Sequence, residues 1–240
     1  MDGHDPSTLL TVGDALAFLL GTCATIDDVK VAMQRVVVWP WELPQWGFAP
    51  PLHFAMHDAS GASTVIEWRD GECVTFDNPI GVTTNAPHLD WHYTNLRNYV
   101  GLSAKNPSSA TIAGVDVAPL GQGTGFFGLP GDTSPASRFV RGAAFVATHV
   151  EVADGPALEA AMLHVMNNFD IPKGSVVTTD GTSIEHTQFT SVSNLRDLHY
   201  VVRTEQNFTP YRIDVKAVDL SPGPVRQLDF PSGDFADLTI

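Results

Sequence analysis

"LHFAMHDASGASTVIEWRDGECVTF", residues 52–76, decides the fold class of this chain. Three runs in it, LHFAMHD, STVIEW and ECVTF, are rich in β-branched and aromatic residues, and turn formers separate them at Asp58–Gly61 and at Asp70-Gly71. Asp-Gly between two such runs is a strong hairpin signal, because a tight two-residue turn needs positive φ at its centre and Gly adopts it without strain. The stretch predicts an antiparallel meander.

Toward the N-terminus, residues 11–22 predict a helix with Leu16, Leu19 and Leu20 on one side, and TIDD supplies a capping box from Thr25 to Asp28 for a second helix. Between these helices and the meander lies WPWELPQWGFAPP, whose prolines oppose regular structure. Its Trp39, Trp41 and Trp46 offer large apolar faces that either cap the core edge or contact a substrate.

Toward the C-terminus, GVTTNAPHLDWHYTNLRNY (residues 81–99) predicts a strand through Thr84, a turn at Pro87 and a helix from about Asp90. The segment Ser103–Gly128 has little periodicity, and loops of that length serve function or assembly. Ser134 and Pro135 open a helix with Phe139, Ala143 and Val146 on one face, and Pro156 opens another with Leu158, Met162 and Val165 in line. Period-two patterns then return in HTQFTSV, LHYVVRT and YRIDVKAV, with a turn at Asn194–Asp197. Helices, antiparallel strands, helices and antiparallel strands in that order predict an α+β fold with helices on the outer faces of sheets. With no repeat and no break in composition, residues 1–240 read as a single domain.

The 13 Lys and Arg against 27 Asp and Glu give a formal charge of −14, which repels nucleic acid and anionic lipid. The longest apolar runs fall far short of the roughly 20 residues that span a bilayer. The acidic start, MDGHDPSTLL, lacks a leader pattern and reads as cytoplasmic, with a periplasmic location open if a preceding segment carried a signal peptide. GQGTGFFG has glycines at dinucleotide-binding spacing, but no strand precedes it and Pro130 follows where a helix should open. His53 and His57, four apart on a strand, stand about 13 Å apart, too far to share one ion. His88 and His92, astride a turn and a helix start, read as structural. Cys23 and Cys73 have no basic neighbour in sequence and read as small apolar fillers.

Several consecutive pieces resemble the choloylglycine hydrolase and penicillin V acylase family of N-terminal-nucleophile amidases: LHFAMHDASGASTVIEW, FDNPIGVTTNAPHLDWHYTNLRNY and GLPGDTSPASRFVR, and more loosely HTQFTSVSNL and LHYVVRT. The resemblance implies a four-layer αββα sandwich and no metal or organic cofactor. It also implies a homo-oligomer, with subunit contacts sought in Ser103–Gly128. The reaction it implies has an N-terminal cysteine attack a linear amide with an apolar acyl group, its own α-amine serving as base. Asn85, in the TN-x-P motif, is implied to donate its side-chain N–H to the tetrahedral oxyanion, and Arg138, in SPASRF, to lie beside the nucleophile. On the residues alone, Arg138 reads first as a surface or sheet-paired arginine, although a cation in the first turns of a helix gains nothing from the dipole there.

The sequence departs from the family at its start. It opens on Met1-Asp2 and joins the family pattern about a quarter of the way in, and neither cysteine falls where the family places its nucleophile. The expectation is an N-terminally truncated acylase, inert as this chain alone. The alternatives are a non-catalytic ligand-binding or assembly protein that uses the Trp-rich loop, or a degenerate fragment.

Overall fold

Two three-residue strands, β1 (Leu9–Thr11) and β2 (Val37–Trp39), pair in parallel and bracket helices α1 (Val12–Thr22) and α2 (Ile26–Met33). This is a computed structural model, which describes residues 5–40, 42, 44, 47–224, 227–231 and 233. The parallel pair is absent from the sequence-based expectation, and it puts Trp39 at a strand end rather than in a loop. Trp41 and Trp46 lie outside the described residues. The capping box forms: Thr25 Oγ1 accepts from Asp28 N–H at 3.2 Å, and Asp28 Oδ2 accepts from Thr25 N–H at 3.0 Å. The buried face of α1 is Val12, Ala15 and Leu19, and the expected companions Leu16 and Leu20 face solvent.

The meander forms as β3 (Phe54–His57), β4 (Ser63–Arg69) and β5 (Glu72–Asp77), paired antiparallel in that order. Asp70 and Gly71 both have positive φ, as the tight hairpin requires. Successive side chains of a strand point to opposite faces, so β4 feeds two cores. Ile66 joins Phe54 and Met56 in a cluster with Leu19, Val29 and Met33 of α1 and α2. Val65 joins Leu89 of α3 (Leu89–Asn95) with Phe139 and Ala143 of α4 (Pro135–Thr148). Both valine and isoleucine are fully buried, each worth about 1.5–3 kcal/mol relative to exposure.

The strand expected through Thr84 does not form. Residues 81–84 run outside any ladder and turn through a cis Ala86–Pro87 bond into α3. Residues 103–128 are less featureless than expected. They carry a hairpin, β6 (Ala110–Ile112) and β7 (Val115–Val117), whose six residues are all exposed. The glycine-rich piece after it has a packing reason, since a Cβ on Gly125 would overlap Ser103 O and Lys105 O. In α4, Phe139 and Ala143 are buried while Val146 faces out.

Residues Met1–Thr148 form one compact unit and His149–Ile240 a second. The second opens with α5 (Gly155–Met166), capped by Asp154 Oδ1 accepting from Ala157 N–H at 2.8 Å. After the short pair β8 (Val176–Val177) and β9 (Ile184–Glu185) come β10 (Phe189–Asn194), β11 (His199–Thr204) and β12 (Asn207–Asp214), an antiparallel sheet in sequence order. Leu158, expected on the packing face of α5, is exposed. Its neighbour Glu159 is buried instead, accepting from Asn194 Nδ2 and His199 Nδ1 at 2.8 Å each and pairing with Arg212 at 2.7 Å. The α+β class with antiparallel sheets and flanking helices is the architecture found.

Candidate active site

Asn85 and Arg138, 53 residues apart, meet in space: Arg138 Nη2 donates to Asn85 Oδ1 at 2.6 Å. Local sequence explains how Arg138 is aimed. Asp132 accepts from Ser134 N–H at 2.9 Å and from Ser137 Oγ at 2.6 Å, and the Ser134 and Ser137 side chains together with that N–H hold its carboxyl well below the usual carboxylate range. Arg141, buried, donates to the carbonyls of Pro130 and Asp132 at 2.9 and 2.6 Å. The turn before α4 is thereby fixed, and its Thr133 carbonyl accepts from Arg138 Nε at 2.9 Å. A cation near a helix N-terminus is held by oxygens that fold back toward it, which offsets the unfavourable dipole.

The contact also fixes the Asn85 amide. A guanidinium only donates, so the atom facing Arg138 must be the amide oxygen. The Nδ2 group is therefore directed away from Arg138. Asn85 is exposed, and among the described residues Nδ2 has no protein partner. The arrangement presents an N–H donor to solvent with a cation behind it, which suits stabilisation of a developing oxyanion.

The other side of Asn85 is held through α3. His88, at the N-cap, makes no side-chain capping bond, and Glu67 from β4 replaces it by accepting from Leu89 N–H at 2.8 Å. Glu67 also faces His88 Nδ1 at 3.0 Å and Arg69 at 2.9 Å, and Arg69 forks onto both oxygens of Asp90 at 2.8 and 2.9 Å. Arg69 holds the Asp90 carboxyl below its ordinary range. On the buried face of this helix His92 stacks on Phe139, ring centroids 4.5 Å apart, with Nε2 3.1 Å from Asn85 O.

Cys23 packs with the α1–α2 cluster, across the sheet from α3 and α4. Cys73 sits opposite Trp68, whose ring also joins the α1–α2 cluster, but is exposed rather than the apolar filler expected, and desolvation by its neighbours pushes its thiol up, disfavouring thiolate. Trp39 is 36% exposed at the end of β2, and among the described residues no hydrogen bond or ring contact joins it to Asn85. Glu159, Asp197 and His199 form the one carboxylate and imidazole group of metal-ligand type among the described residues. Glu159 Oε1 already accepts from Asn194 and His199 and Oε2 is neutralised by Arg212 at 2.7 Å, so the group reads as an ion-pair network. Sequence reasoning missed Glu67 and Asp132 as positioning groups. For His92 a signal existed, since Leu89 and His92 share a face at i, i+3.

A profile described as "Linear amide C-N hydrolases, choloylglycine hydrolase family" matches residues 2–237. A bile salt hydrolase/transferase from Clostridium perfringens is 32% identical over 220 residues, covering 91% of this chain and 66% of the relative. The chain thus spans just under two thirds of that relative's length. A crystal structure of a mutant conjugated bile acid hydrolase from the same organism superposes with a TM-score of 0.84 at 30% identity, over 97% of this chain and 69% of that one. The penicillin V acylase of Agrobacterium tumefaciens shares the fold, with a TM-score of 0.71 at 21% identity over 92% of this chain and 60% of that one.

Proposed function

Because the chain belongs to the choloylglycine hydrolase family of linear amide C–N hydrolases, we propose that it carries the electrostatic part of an acylase site, with Asn85 as oxyanion donor and Arg138 as its orienting cation. The observation that carries this reading is the 2.6 Å contact from Arg138 Nη2 to Asn85 Oδ1, which turns the amide N–H outward. In the reaction, a cysteine thiolate attacks the amide carbon and the carbonyl π pair moves onto oxygen, which accepts a hydrogen bond from Asn85 Nδ2. Collapse breaks the C–N bond, the amine leaves with a proton, and water releases the acid from the thioester. The guanidinium favours thiolate at the same place.

Neither Cys23 nor Cys73 packs on the α3–α4 side, so turnover needs a thiol from elsewhere, and the chain alone is inert in this reading. The substrate is a linear amide with an apolar acyl group, for which exposed Trp39 offers a contact surface. Residues 1–240 act as one family domain. We place subunit contacts on the exposed hairpin, where Ile112, Val115 and Val117 present apolar side chains to solvent.

The test is to fuse the cysteine-bearing N-terminal part of a bile salt hydrolase relative ahead of this chain and follow amine release from glycine-conjugated bile salts and phenoxyacetyl amides. Turnover that falls about 10²–10³-fold in Asn85→Ala supports the reading. Equal turnover with and without the Asn85 amide would overturn it.

A further inference from the structure

Resting on that reading, we propose that His92 is a positioning residue for the oxyanion donor: a buried imidazole that clamps the Asn85 backbone while Arg138 clamps its side chain. His92 is 1% exposed and lies flat on Phe139, with 13° between the rings. Its Nε2 faces two oxygens, Asn85 O at 3.1 Å and Thr84 Oγ1 at 3.4 Å. The carbonyl can only accept. Thr84 has one hydroxyl proton, and it goes to Pro135 O at 3.0 Å, so toward His92 the hydroxyl can also only accept. Both neighbours therefore require the proton on Nε2. Consistently, Nδ1 is buried without a partner, as an unprotonated ring nitrogen tolerates better than an N–H would.

The clamp has three anchors on three elements. His92 comes from α3, Pro135 O and Arg138 from the start of α4, and Thr84-Asn85 from the segment outside the sheet. That segment has no ladder to hold it, so the imidazole takes over the role that a neighbouring strand plays elsewhere in the unit. A site needs its donor held within about 0.5 Å, and an exposed asparagine on an unpaired segment achieves this only with such support.

The first test uses the unaltered chain labelled with 15N. The expected result is a pyrrole-type shift for His92 Nε2 and a pyridine-type shift for Nδ1, and the reverse pattern overturns the proposal without any variant. The second compares His92→Phe, which keeps the stack on Phe139 but has no donor, with His92→Gln, whose amide N–H reaches the Nε2 position. The Asn85 side-chain amide resonances should move in His92→Phe and return toward their original positions in His92→Gln. Resonances that stay in place in both variants refute the clamp. In the cysteine-bearing fusion, His92→Phe should lower kcat about tenfold with KM little changed, and His92→Gln should recover part of it. An unchanged kcat in His92→Phe counts against positioning, whereas an unchanged kcat in Asn85→Ala counts against the acylase reading itself.

Discussion

Replacing Glu67 by alanine should destabilise the first unit by about 2–4 kcal/mol, although the residue sits in neither core cluster. Glu67 is 5% exposed and accepts from Leu89 N–H, itself at a residue only 2% exposed, so deletion leaves a buried donor unsatisfied at about 1–3 kcal/mol. Removal of the side chain also opens space beneath His88 and the start of α3, which adds about 1 kcal/mol at the scale of a lost methylene. Arg69 adds little, because its fork onto Asp90 survives. Glu67→Gln keeps an acceptor at the Oε1 position and should cost less than half as much. All five tryptophans lie before His149, so urea denaturation followed by tryptophan fluorescence reports on this unit alone. A Glu67→Ala midpoint equal to wild type, or a glutamine variant as unstable as alanine, would refute the assignment of Glu67 as a surrogate cap.

Phe139→Ala removes a fully buried ring that touches His92 and Tyr93, and should cost about 3–5 kcal/mol by the same fluorescence assay. Asp58 accepts from Ser60 and from Ile26 N–H at the head of α2, and these bonds lower its carboxyl to about 2. A depressed folded-state value means that its contribution is complete above the unfolded value of about 3.9 and is lost as pH falls through about 2. The stability gap between wild type and Asp58→Asn should therefore close across that window, as read by urea midpoints at several pH values. Arg138→Lys keeps the charge but not the fork that reaches Thr133 O and Asn85 Oδ1 together, and in the fusion enzyme it should lower kcat roughly 10–100-fold with the fold intact by circular dichroism.

Local chemistry made parts of this molecule legible. The Thr25–Asp28 capping box, the Asp70-Gly71 hairpin and the three strands around it each rest on interactions within a few residues, and each forms. The misses share a different cause. Residues 81–84 read as a strand because Val82, Thr83 and Thr84 are β-branched, but such a segment becomes a strand only when a partner supplies a ladder, and here the partners are a histidine and a helix carbonyl. Hydrophobicity groups Leu16 and Leu20 with Leu19 on one side, yet α1 packs along Val12, Ala15 and Leu19. In α3 the ranking inverts outright: Trp91 is 44% exposed while His92 beside it is buried, because acceptors wait for the imidazole. The pairing of Asn85 with Arg138 has no local signature at all, and only the TN-x-P and SPASRF motifs pointed to both.

The residues that fix Asn85, from Glu67 through Arg141, all precede His149 in the chain. Domains fold as units during synthesis, N-terminal first. The donor site can thus reach its final geometry while the β10–β12 sheet is still being translated, and a ribosome stalled once Thr148 has emerged should already present the Asn85 amide outward. Order of emergence from the ribosome separates the part of the protein that fixes the Asn85 amide from the part that follows it.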